Sequence, residues 1–390
     1  MKKRIAFVTN KLVVGGVERA LITLLDSIDY QQYEVTLWTK GMGGEFEELL
    51  NPNVIARNWD QVVNPLSLCL KTGQFKAFFS GIYRRLMLRY VSKNWLEYEY
   101  HEARMKPSCD NLSYDCVIAY QGLYSGVMAT ALFRLHAPIK IAWIHGQNHF
   151  DATQKKLMSK IYKLCNHICC VSEATRQAFV QDFPETTSKA QVVYNLIDHN
   201  RIRSLSLEDT EVKFDRNTLV TVGRLSLPKG QNMIPKTTRI LLDAGYNIHW
   251  YLVGDGELRA EIEEAIQKYN VQSHVILLGS KMNPYPYIKN CDIYVQPSFS
   301  EGYCTTTVEA KILCKPIVTT DAPGMREQFI NGENGLIVNS MTPEALAEGI
   351  KLLLDNLEMP QKFQSALIAE SYDNSNELQK IYNFIEWEKR

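Results

Sequence analysis

The stretch CDIYVQPSFSEGYCTTTVEAKILCKPIVTTD, residues 291–321, carries the clearest fold signal in the chain. It contains an apolar run at residues 293–295, a polar loop, a helical pattern at Val308 and Ile312, and a second apolar run at residues 317–320. This order predicts a strand, a loop, a helix and another strand. Strands joined in this way lie parallel in one sheet, with a right-handed crossover between them.

The loop of this unit places Glu301 and Gly302 directly before the helix, with Thr305 on its first turn. The free N–H groups at a helix N-terminus bind anions. A carboxylate beside such a site fits a ligand that carries hydroxyl groups as well as phosphate, because a carboxylate accepts hydrogen bonds from hydroxyls. Glu309 lies two helical turns further on and is predicted to do the same for a second polyol.

Length and composition limit the possible classes of protein. A chain of 390 residues predicts two domains or slightly more. Hydrophobic residues make up 45% of it and charged residues 22%, as in ordinary globular proteins. Basic and acidic residues are equal at 43 each, so the net charge gives no indication of a nucleic-acid partner. The nine cysteines show no zinc-like spacing, which predicts reduced thiols in a cytoplasmic protein.

The N-terminal segment MKKRIAFVTNK has too few apolar residues for a signal peptide and predicts a first strand instead. No run in the sequence approaches the roughly 20 apolar residues that a transmembrane helix needs.

A glycine turn, Gly15-Gly16, follows this strand and precedes a helical pattern at residues 17–28. A second strand is predicted at residues 34–38. Open α/β sheets bind ligands at such turns, at the carboxyl end of the first strand. The sequence has neither Gly-x-Gly-x-x-Gly nor a Walker lysine here, so the turn indicates neither a dinucleotide site nor an ATP site.

Residues 61–96 contain no acidic residue. Aromatic and aliphatic residues alternate there with basic ones at near-helical spacing, a pattern typical of a helix on an anionic membrane surface. The basic residues are Lys71, Lys76, Arg84, Arg85, Arg89 and Lys93. The alternative is a core helix whose basic side chains extend to water. We favour membrane contact, because packing alone does not explain so long an acid-free span. Nucleic acid is a third, less favoured partner, since the basic surface is confined to this stretch.

Strands and helices alternate along the rest of the chain. This predicts an α/β fold of two doubly wound, Rossmann-like domains that face a central cleft. Residues 1–198 are assigned to the first domain and residues 217–373 to the second, with a polar, weakly patterned connection between them. A last helix within residues 374–390 carries aromatic side chains and is expected to pack back on the first domain.

Arg224 and Lys229 follow the first predicted strand of the second domain, which also supplies the helix N-terminus near Glu301. Two cations and free N–H groups bind a diphosphate better than a monoanion. There is no Asp-x-Asp motif to hold a bridging metal, so we expect protein cations to take the electrostatic role of a metal. The alternative, a solvated surface loop, is disfavoured by the neighbouring Glu301 loop.

Several motifs together resemble those of the family 4 retaining glycosyltransferases, which have the GT-B fold. They are Gly223-Arg224 with Lys229-Gly230, Gly254-Asp255-Gly256, Glu301-Gly302 with Glu309, Val192-Val193-Tyr194-Asn195, and Gly15-Gly16-Val17-Glu18. The resemblance covers nearly the whole chain and is strongest over residues 218–338. It indicates the type that builds bacterial cell-envelope or capsular polysaccharides.

This resemblance implies a nucleotide-diphosphate sugar as donor substrate, with UDP favoured over GDP, and neither cofactor nor metal. Arg224 and Lys229 would contact the diphosphate, Glu301 the hydroxyls of the donor sugar, and Glu309 the ribose. Gly16 would approach the phosphates from the opposite domain. The further donor-binding residues would be Gly15, Gly254, Gly302, Tyr303, Cys304 and Thr305.

His145 matches the family's histidine near the transferred sugar. The alternative is a structural histidine at a strand end, and His149 is a less favoured candidate for the same role. The family chemistry is a front-face reaction with net retention, in which the leaving diphosphate is stabilised by the cations and the sugar becomes oxocarbenium-like. Residues 304–307 depart from the usual family pattern, which leaves the donor sugar open, and Cys304 is not expected to act as a nucleophile.

The sequence thus predicts a cytoplasmic glycosyltransferase, peripheral on the inner face of the cell membrane, that extends a lipid-linked or envelope glycan. One alternative is a nucleotide-sugar epimerase of GT-B fold, which would act without an acceptor. Another is a non-catalytic sugar-nucleotide-binding protein, which the presence of Arg224, Lys229 and both glutamates disfavours.

Overall fold

The computed structural model describes residues 2–59, 82, 83, 86, 95–106, 108–123, 125–147, 150–214, 217–356 and 358–386. Within these ranges the chain forms two α/β domains, each built on a parallel sheet. This confirms the predicted fold class.

The first domain contains a seven-stranded sheet covered by helices. Its strands are β1 (Lys3–Val8), β2 (Tyr33–Thr39), β3 (Val54–Asn58), β4 (Cys116–Ala119), β5 (Ile139–Ile144), β6 (His167–Cys170) and β7 (Ala190–Val192). Its helices are α1 (Gly16–Ser27), α2 (Trp95–Met105), α3 (Ser125–Phe133), α4 (Ala152–Tyr162) and α5 (Glu173–Asp182). The order in the sheet is β3-β2-β1-β4-β5-β6-β7. Apolar side chains pack on both faces of this sheet, as parallel sheets require.

The second domain contains a six-stranded sheet. Its strands are β8 (Thr218–Val222), β9 (His249–Val253), β10 (Val275–Gly279), β11 (Ile293–Gln296), β12 (Ile317–Thr320) and β13 (Leu336–Val338). Its helices are α6 (His199–Leu205), α7 (Ile234–Asp243), α8 (Arg259–Lys268), α9 (Tyr285–Asn290), α10 (Thr305–Ile312), α11 (Met325–Gln328), α12 (Pro343–Asp355) and α13 (Glu358–Ala369). The order is β10-β9-β8-β11-β12-β13.

The strand order reverses at β1 and β4 in the first sheet and at β8 and β11 in the second. Loops at such reversal points diverge to opposite faces of the sheet and leave a crevice, where open α/β sheets bind ligands. Residues 291–321 lie there: β11 and β12 pair in parallel, and α10 connects them. The predicted strand–loop–helix–strand order is therefore confirmed.

The connection between the domains differs from the prediction. Residues His199–Leu205 form α6, whose Ile202 is 4% exposed and belongs to the core of the second domain. Phe214 packs edge-on against Tyr251, with ring centroids 5.5 Å apart. The second domain therefore begins near residue 199 rather than 217. The connection contains few apolar residues, and they show no helical or strand pattern in the sequence. They become part of a core only through contact with the second domain.

The C-terminal helix α14 (Ser375–Ile385) leaves the second domain and packs against the first. Tyr382 stacks on Tyr33 with ring centroids 5.2 Å apart. Phe384 stacks on His167 with ring centroids 4.7 Å apart. The chain therefore crosses between the domains twice.

Among the described helices, none has the length and apolar content needed to span a membrane. Of the acid-free stretch at residues 61–96, the structure describes only residues 82, 83, 86, 95 and 96. The predicted membrane contact therefore lies almost wholly outside the described residues.

Candidate active site

A cleft of about 480 Å³ lies between the carboxyl edges of the two sheets. The first domain lines it with the loops that follow β1, β4 and β5, and the second with those that follow β8, β9 and β11. Most of the predicted site residues meet there. They are Gly15, Gly16, His145, Arg224, Lys229, Gly254, Glu301, Gly302, Tyr303, Thr305 and Glu309.

Glu301 and Lys229 form an ion pair in this cleft. Lys229 Nζ lies 2.9 Å from Oε1 and 2.8 Å from Oε2 of Glu301, whose side chain is 6% exposed. Ser298 donates from Oγ to Glu301 Oε1 at 2.6 Å, and Gln296 donates from Nε2 to Ser298 Oγ at 2.8 Å. All four residues belong to the second domain, so this domain alone fixes the carboxylate.

The positive charge in the cleft comes from Lys229 and Arg224. Burial lowers the pKa of the Lys229 ammonium, but the Glu301 carboxylate outweighs it, and the net pKa lies above its ordinary value. Lys229 therefore remains a cation. Arg224 is exposed and extends toward the first domain, where its Nη2 lies 3.9 Å from the position of a Cβ at Gly15.

The N-terminus of α10 adds uncompensated N–H groups to the same region. Its N-cap residue is Cys304, and no side chain caps the helix. Two glycines let the backbones of the two domains approach closely here. A Cβ at Gly16 would lie 2.9 Å from Thr305 Oγ1, and a Cβ at Gly302 would lie 2.0 Å from the carbonyl oxygen of His145. The loops around this helix end are therefore in contact across the cleft.

Glu309 lies deeper on α10 and is 4% exposed. Burial raises the pKa of its carboxyl to about 7, against the opposing effects of Arg19 and of a hydrogen bond from Tyr285. Arg19 comes from α1 of the first domain, and its Nε lies 4.0 Å from Glu309 Oε1. Its guanidinium also donates to the hydroxyl of Tyr285 at 3.1 Å and to the carbonyl of Met282 at 2.8 Å.

Arg19 was not singled out by sequence reasoning, although it directly follows the Gly15-Gly16-Val17-Glu18 motif. Glu18 was not assigned a role either. Its side chain lines the cleft, and burial raises the pKa of its carboxyl. Gln121 donates from Nε2 to Glu18 Oε1 at 3.0 Å and accepts from Asn10 Nδ2 at 2.6 Å. Only the meeting of β1, α1 and the β4 loop brings these polar groups together.

His145 lines the cleft at the end of β5. Burial lowers the pKa of its imidazole to about 3, although a backbone hydrogen bond with Tyr120 acts in the opposite direction. The ring is therefore neutral at pH 7. Its Nε2 is buried and has no hydrogen-bond partner in the described part of the chain. His149, the less favoured candidate, lies outside the described residues.

Cys304 is the predicted donor-binding residue that the structure does not bring to the cleft. It is 2% exposed, and its Sγ lies 3.3 Å from Thr306 Oγ1. Burial raises the pKa of the thiol to about 11, so the thiol stays protonated. The sequence could not show this, because the direction of a side chain at a helix start depends on how the helix packs.

A cluster of three or more His, Cys, Asp or Glu side chains suited to a metal ion does not occur within the described ranges. The chemistry that these residues offer is electrostatic. Cations and free N–H groups are placed to bind an anion, and carboxylates beside them can accept hydrogen bonds.

Contacts outside the cleft hold the two domains together. Glu327 on α11 accepts hydrogen bonds from the backbone N–H groups of Glu173 and Ala174, each at 2.8 Å, at the N-terminus of α5. A carboxylate at this end of a helix is stabilised by the free N–H groups and by the helix dipole. Ser172 donates from Oγ to the carbonyl of Gly302 at 2.6 Å. The structure is thus that of the domains in contact.

Two Rossmann-like domains that face a cleft define the GT-B class of fold. The model of Glycosyltransferase Family 4 matches residues 14–201, and that of Glycosyl transferases group 1 matches residues 205–368. The two models adjoin and together match nearly the whole chain. The chain belongs to the family 4 glycosyltransferases of GT-B fold, which confirms the predicted family.

The chain is also similar to curated bacterial glycosyltransferases. The N-acetylgalactosamine-N,N'-diacetylbacillosaminyl-diphospho-undecaprenol 4-alpha-N-acetylgalactosaminyltransferase of Campylobacter jejuni is 30% identical over 234 residues. That match spans 58% of this chain but only 62% of the relative's length. The capsular polysaccharide biosynthesis glycosyltransferase CapM of Staphylococcus aureus is 24% identical over 66% of this chain and 74% of its own length.

Solved structures agree over the full length. The Anabaena protein HepE in complex with UDP has a TM-score of 0.69 at 19% identity, covering 98% of this chain and 99% of that one. A TarM mutant of Staphylococcus aureus in complex with UDP has a TM-score of 0.72 at 14% identity, covering 99% and 100%. At these identities the likeness shows the fold.

Proposed function

We propose that this protein is a retaining, metal-independent glycosyltransferase that moves a sugar from a nucleotide-diphosphate sugar to a glycan acceptor. The observation that carries the proposal is the Lys229–Glu301 ion pair beside the uncapped N-terminus of α10. It presents a cation and N–H groups for a diphosphate next to a carboxylate for sugar hydroxyls. A nucleotide-diphosphate sugar carries both kinds of group.

The reaction follows from where charge develops. When the sugar–phosphate bond breaks, negative charge appears on the diphosphate, which Lys229, Arg224 and the helix N-terminus stabilise. The sugar ring becomes oxocarbenium-like, and Glu301 holds its hydroxyls. The acceptor oxygen bonds to the anomeric carbon on the face from which the diphosphate leaves, which retains the configuration, and the leaving phosphate takes the proton of the acceptor hydroxyl. Neutral His145 lines the cleft without adding a charge that would repel the sugar cation.

The donor is proposed to be a UDP-sugar, with Glu309 accepting hydrogen bonds from the ribose. Support for uridine comes from HepE and TarM, whose structures contain UDP. The transferred sugar stays open, because residues 304–307 depart from the family pattern.

The acceptor is proposed to be a lipid-linked or envelope glycan. The name of the Campylobacter relative describes such a lipid-linked acceptor. We place the protein on the cytoplasmic face of the membrane, with residues 61–96 on the anionic lipid surface. Tyr83 and Leu86 within this stretch are 66% and 62% exposed, as apolar contact groups for a membrane would be.

The donor can be identified by thermal unfolding with a panel of UDP- and GDP-sugars, because a ligand stabilises the fold according to its concentration over its Kd. The stereochemistry is then read by NMR on the product. A product anomer inverted relative to the donor would contradict a retaining reaction. Conversion of the donor sugar without any acceptor would favour the epimerase, and tight binding without conversion would favour a non-catalytic binding protein.

Membrane contact is tested by flotation with vesicles of anionic lipid. We expect the protein to float with them, and replacing both Arg84 and Arg85 by Gln to weaken this. Absence of binding, or binding that both substitutions leave unchanged, would remove this part of the proposal.

A further inference from the structure

A second cavity opens from the cleft on the side of the first domain. Its volume is about 470 Å³, within the range of about 300–1,000 Å³ that is usual for small-molecule sites. It shares the lining residues Leu123, Gly146 and Gln147 with the cleft, so the cavity and the cleft adjoin. Gly146 directly follows His145 in sequence. Its other walls come from α4, α5 and the residues that precede α4.

The floor of this cavity is aromatic. Phe150 is half-buried and meets Phe183 edge-to-face, with ring centroids 6.1 Å apart. Phe183 in turn lies on a buried cluster with Phe179 and Tyr162, which fixes the floor from below. Phe150 is the partly exposed ring of this floor, and the buried rings beneath hold it in place, so that it offers contact area to the C–H face of a sugar ring at little entropic cost.

The rim of the cavity is polar. Lys155 Nζ lies 2.5 Å from Asp182 Oδ1, and both side chains remain partly exposed. Asp151 and Gln147 are exposed at the same rim. Carboxylate, ammonium and amide groups can together donate to and accept from the hydroxyls of a sugar. An aromatic floor under such a rim matches a molecule with one apolar face and polar edges.

The charge of the cavity differs from that of the cleft. Among its described lining residues, Asp151 and Asp182 oppose the single cation Lys155, so the charged groups sum to about −1. A phosphate would be repelled there, whereas Arg224 and Lys229 attract one in the cleft. The polar rim also disfavours a lipid chain. The chemistry that fits is an uncharged sugar.

We propose that this cavity binds the second, uncharged sugar unit of the acceptor glycan, while the unit that receives the new sugar lies in the cleft near His145. The inference rests on the proposed transferase function and deepens it. It makes the enzyme selective for acceptors of at least two sugars, because a single sugar cannot fill the cleft and the cavity together.

The test measures binding of alkyl glycosides in the presence of saturating UDP. The probes are octyl glycosides of glucose, galactose, N-acetylglucosamine and N-acetylgalactosamine, each compared with octyl disaccharides ending in the same sugar, by saturation-transfer NMR and titration. We expect at least one disaccharide to bind about tenfold more tightly than its monosaccharide, which corresponds to one more well-placed sugar.

Ala178→Trp fills the cavity from α5, where Ala178 is half-buried and lines the wall. We expect it to abolish the preference for disaccharides. Gln177→Trp places the same side chain on the exposed, outer side of that helix and should leave the preference intact. Phe150→Ala removes part of the floor and should reduce the preference severalfold, which keeps the test valid if the tryptophan perturbs the helix.

UDP binding, measured by thermal unfolding, separates the two proposals. If UDP stabilises the protein but no disaccharide is preferred, or if the preference survives Ala178→Trp, the inference is wrong and the proposed donor site stands. If neither UDP nor GDP stabilises the protein, the proposed function is wrong and the inference falls with it.

Discussion

The two carboxylates of the cleft, Glu301 and Glu309, lie eight positions apart but in surroundings of different origin. The partners of Glu301 are Lys229 and Ser298, which belong to its own domain. The cation near Glu309 is Arg19, which belongs to the other domain and stays 4.0 Å away. The first arrangement therefore persists when the domains separate, whereas the second exists only when they meet.

This difference separates two tasks within one site. A carboxylate with a bonded cation of its own is ready before any ligand arrives, which is what electrostatic preorganisation requires. Burial raises the pKa of Glu309 to about 7, because Arg19 and the hydrogen bond from Tyr285 only partly offset the loss of hydration. Glu309 is therefore the group whose state depends on both pH and domain closure.

The largest expected effect comes from breaking the internal pair with Lys229→Met. Removing one preorganised charge-stabilising group costs about 100- to 1,000-fold in turnover, and Glu301 is left buried without its cation. Steady-state transfer from the donor measures this. Lys236→Met is the control, since the Lys236–Glu344 pair is exposed and should matter little. A loss below about tenfold would show that Lys229 does not face the leaving group.

The next effect concerns Glu309→Gln and the pH dependence of stability. The pKa of Glu309 is raised from 4.5 to about 7 in the folded state, so the folded protein binds the extra proton between these values. Its stabilising contribution is complete below pH 4.5 and is lost as pH rises through 7, an upper bound of about 3 kcal/mol.

Chemical denaturation of wild type and Glu309→Gln at half-unit steps from pH 4.5 to 7.5 isolates this contribution, because all other groups titrate in both proteins. We expect the stability of wild type relative to the variant to fall across the window. Parallel curves for the two proteins would mean that Glu309 is not buried in solution, and so that the domains are open.

A smaller effect is expected from Arg19→Met, which breaks the contact across the cleft. Without this cation the pKa of Glu309 rises further, because the positive charge of Arg19 lowers it in the wild type. The donor KM should rise when Glu309 is protonated, because the carboxylate is proposed to accept hydrogen bonds from the ribose. The pH at which this KM is doubled should therefore move upward. Arg201→Met removes an exposed interdomain pair with Asp26 and should leave the profile in place. An unshifted profile in Arg19→Met would separate Arg19 from Glu309.

The smallest effect is expected from Cys304→Ser. The thiol is buried and does not line the cleft, and its pKa of about 11 keeps it protonated. Transfer activity should change by no more than about twofold, since no substrate contact is lost. Loss of activity, with the thermal midpoint preserved, would instead assign the thiol to the reaction.

Much of the site was readable from local sequence, and the reason is where its partners lie. Glu301, Lys229 and the start of α10 come from loops that adjoin reversal points of one sheet, and alternating apolar runs suffice to order that sheet. Helix starts were readable for the same local reason. Thr342 accepts from the backbone N–H of Ala345 at 3.2 Å, and a threonine N-cap followed by proline is a local helix-start signal.

The groups that sequence reasoning missed depend on contacts between distant segments. Arg19 and Glu18, for example, gain their partners only when α1 meets the second domain and the β4 loop.

Local periodicity and short-range turns encode the two α/β domains and the charged groups that each brings to its own loops. Other features arise only when the chain folds: Arg19 of one domain faces Glu309 of the other, Glu18 is buried with Gln121, Cys304 is buried outside the cleft lining, and a second cavity adjoins the cleft. Those facts depend on how two surfaces far apart in the chain meet, and on the burial that their meeting creates.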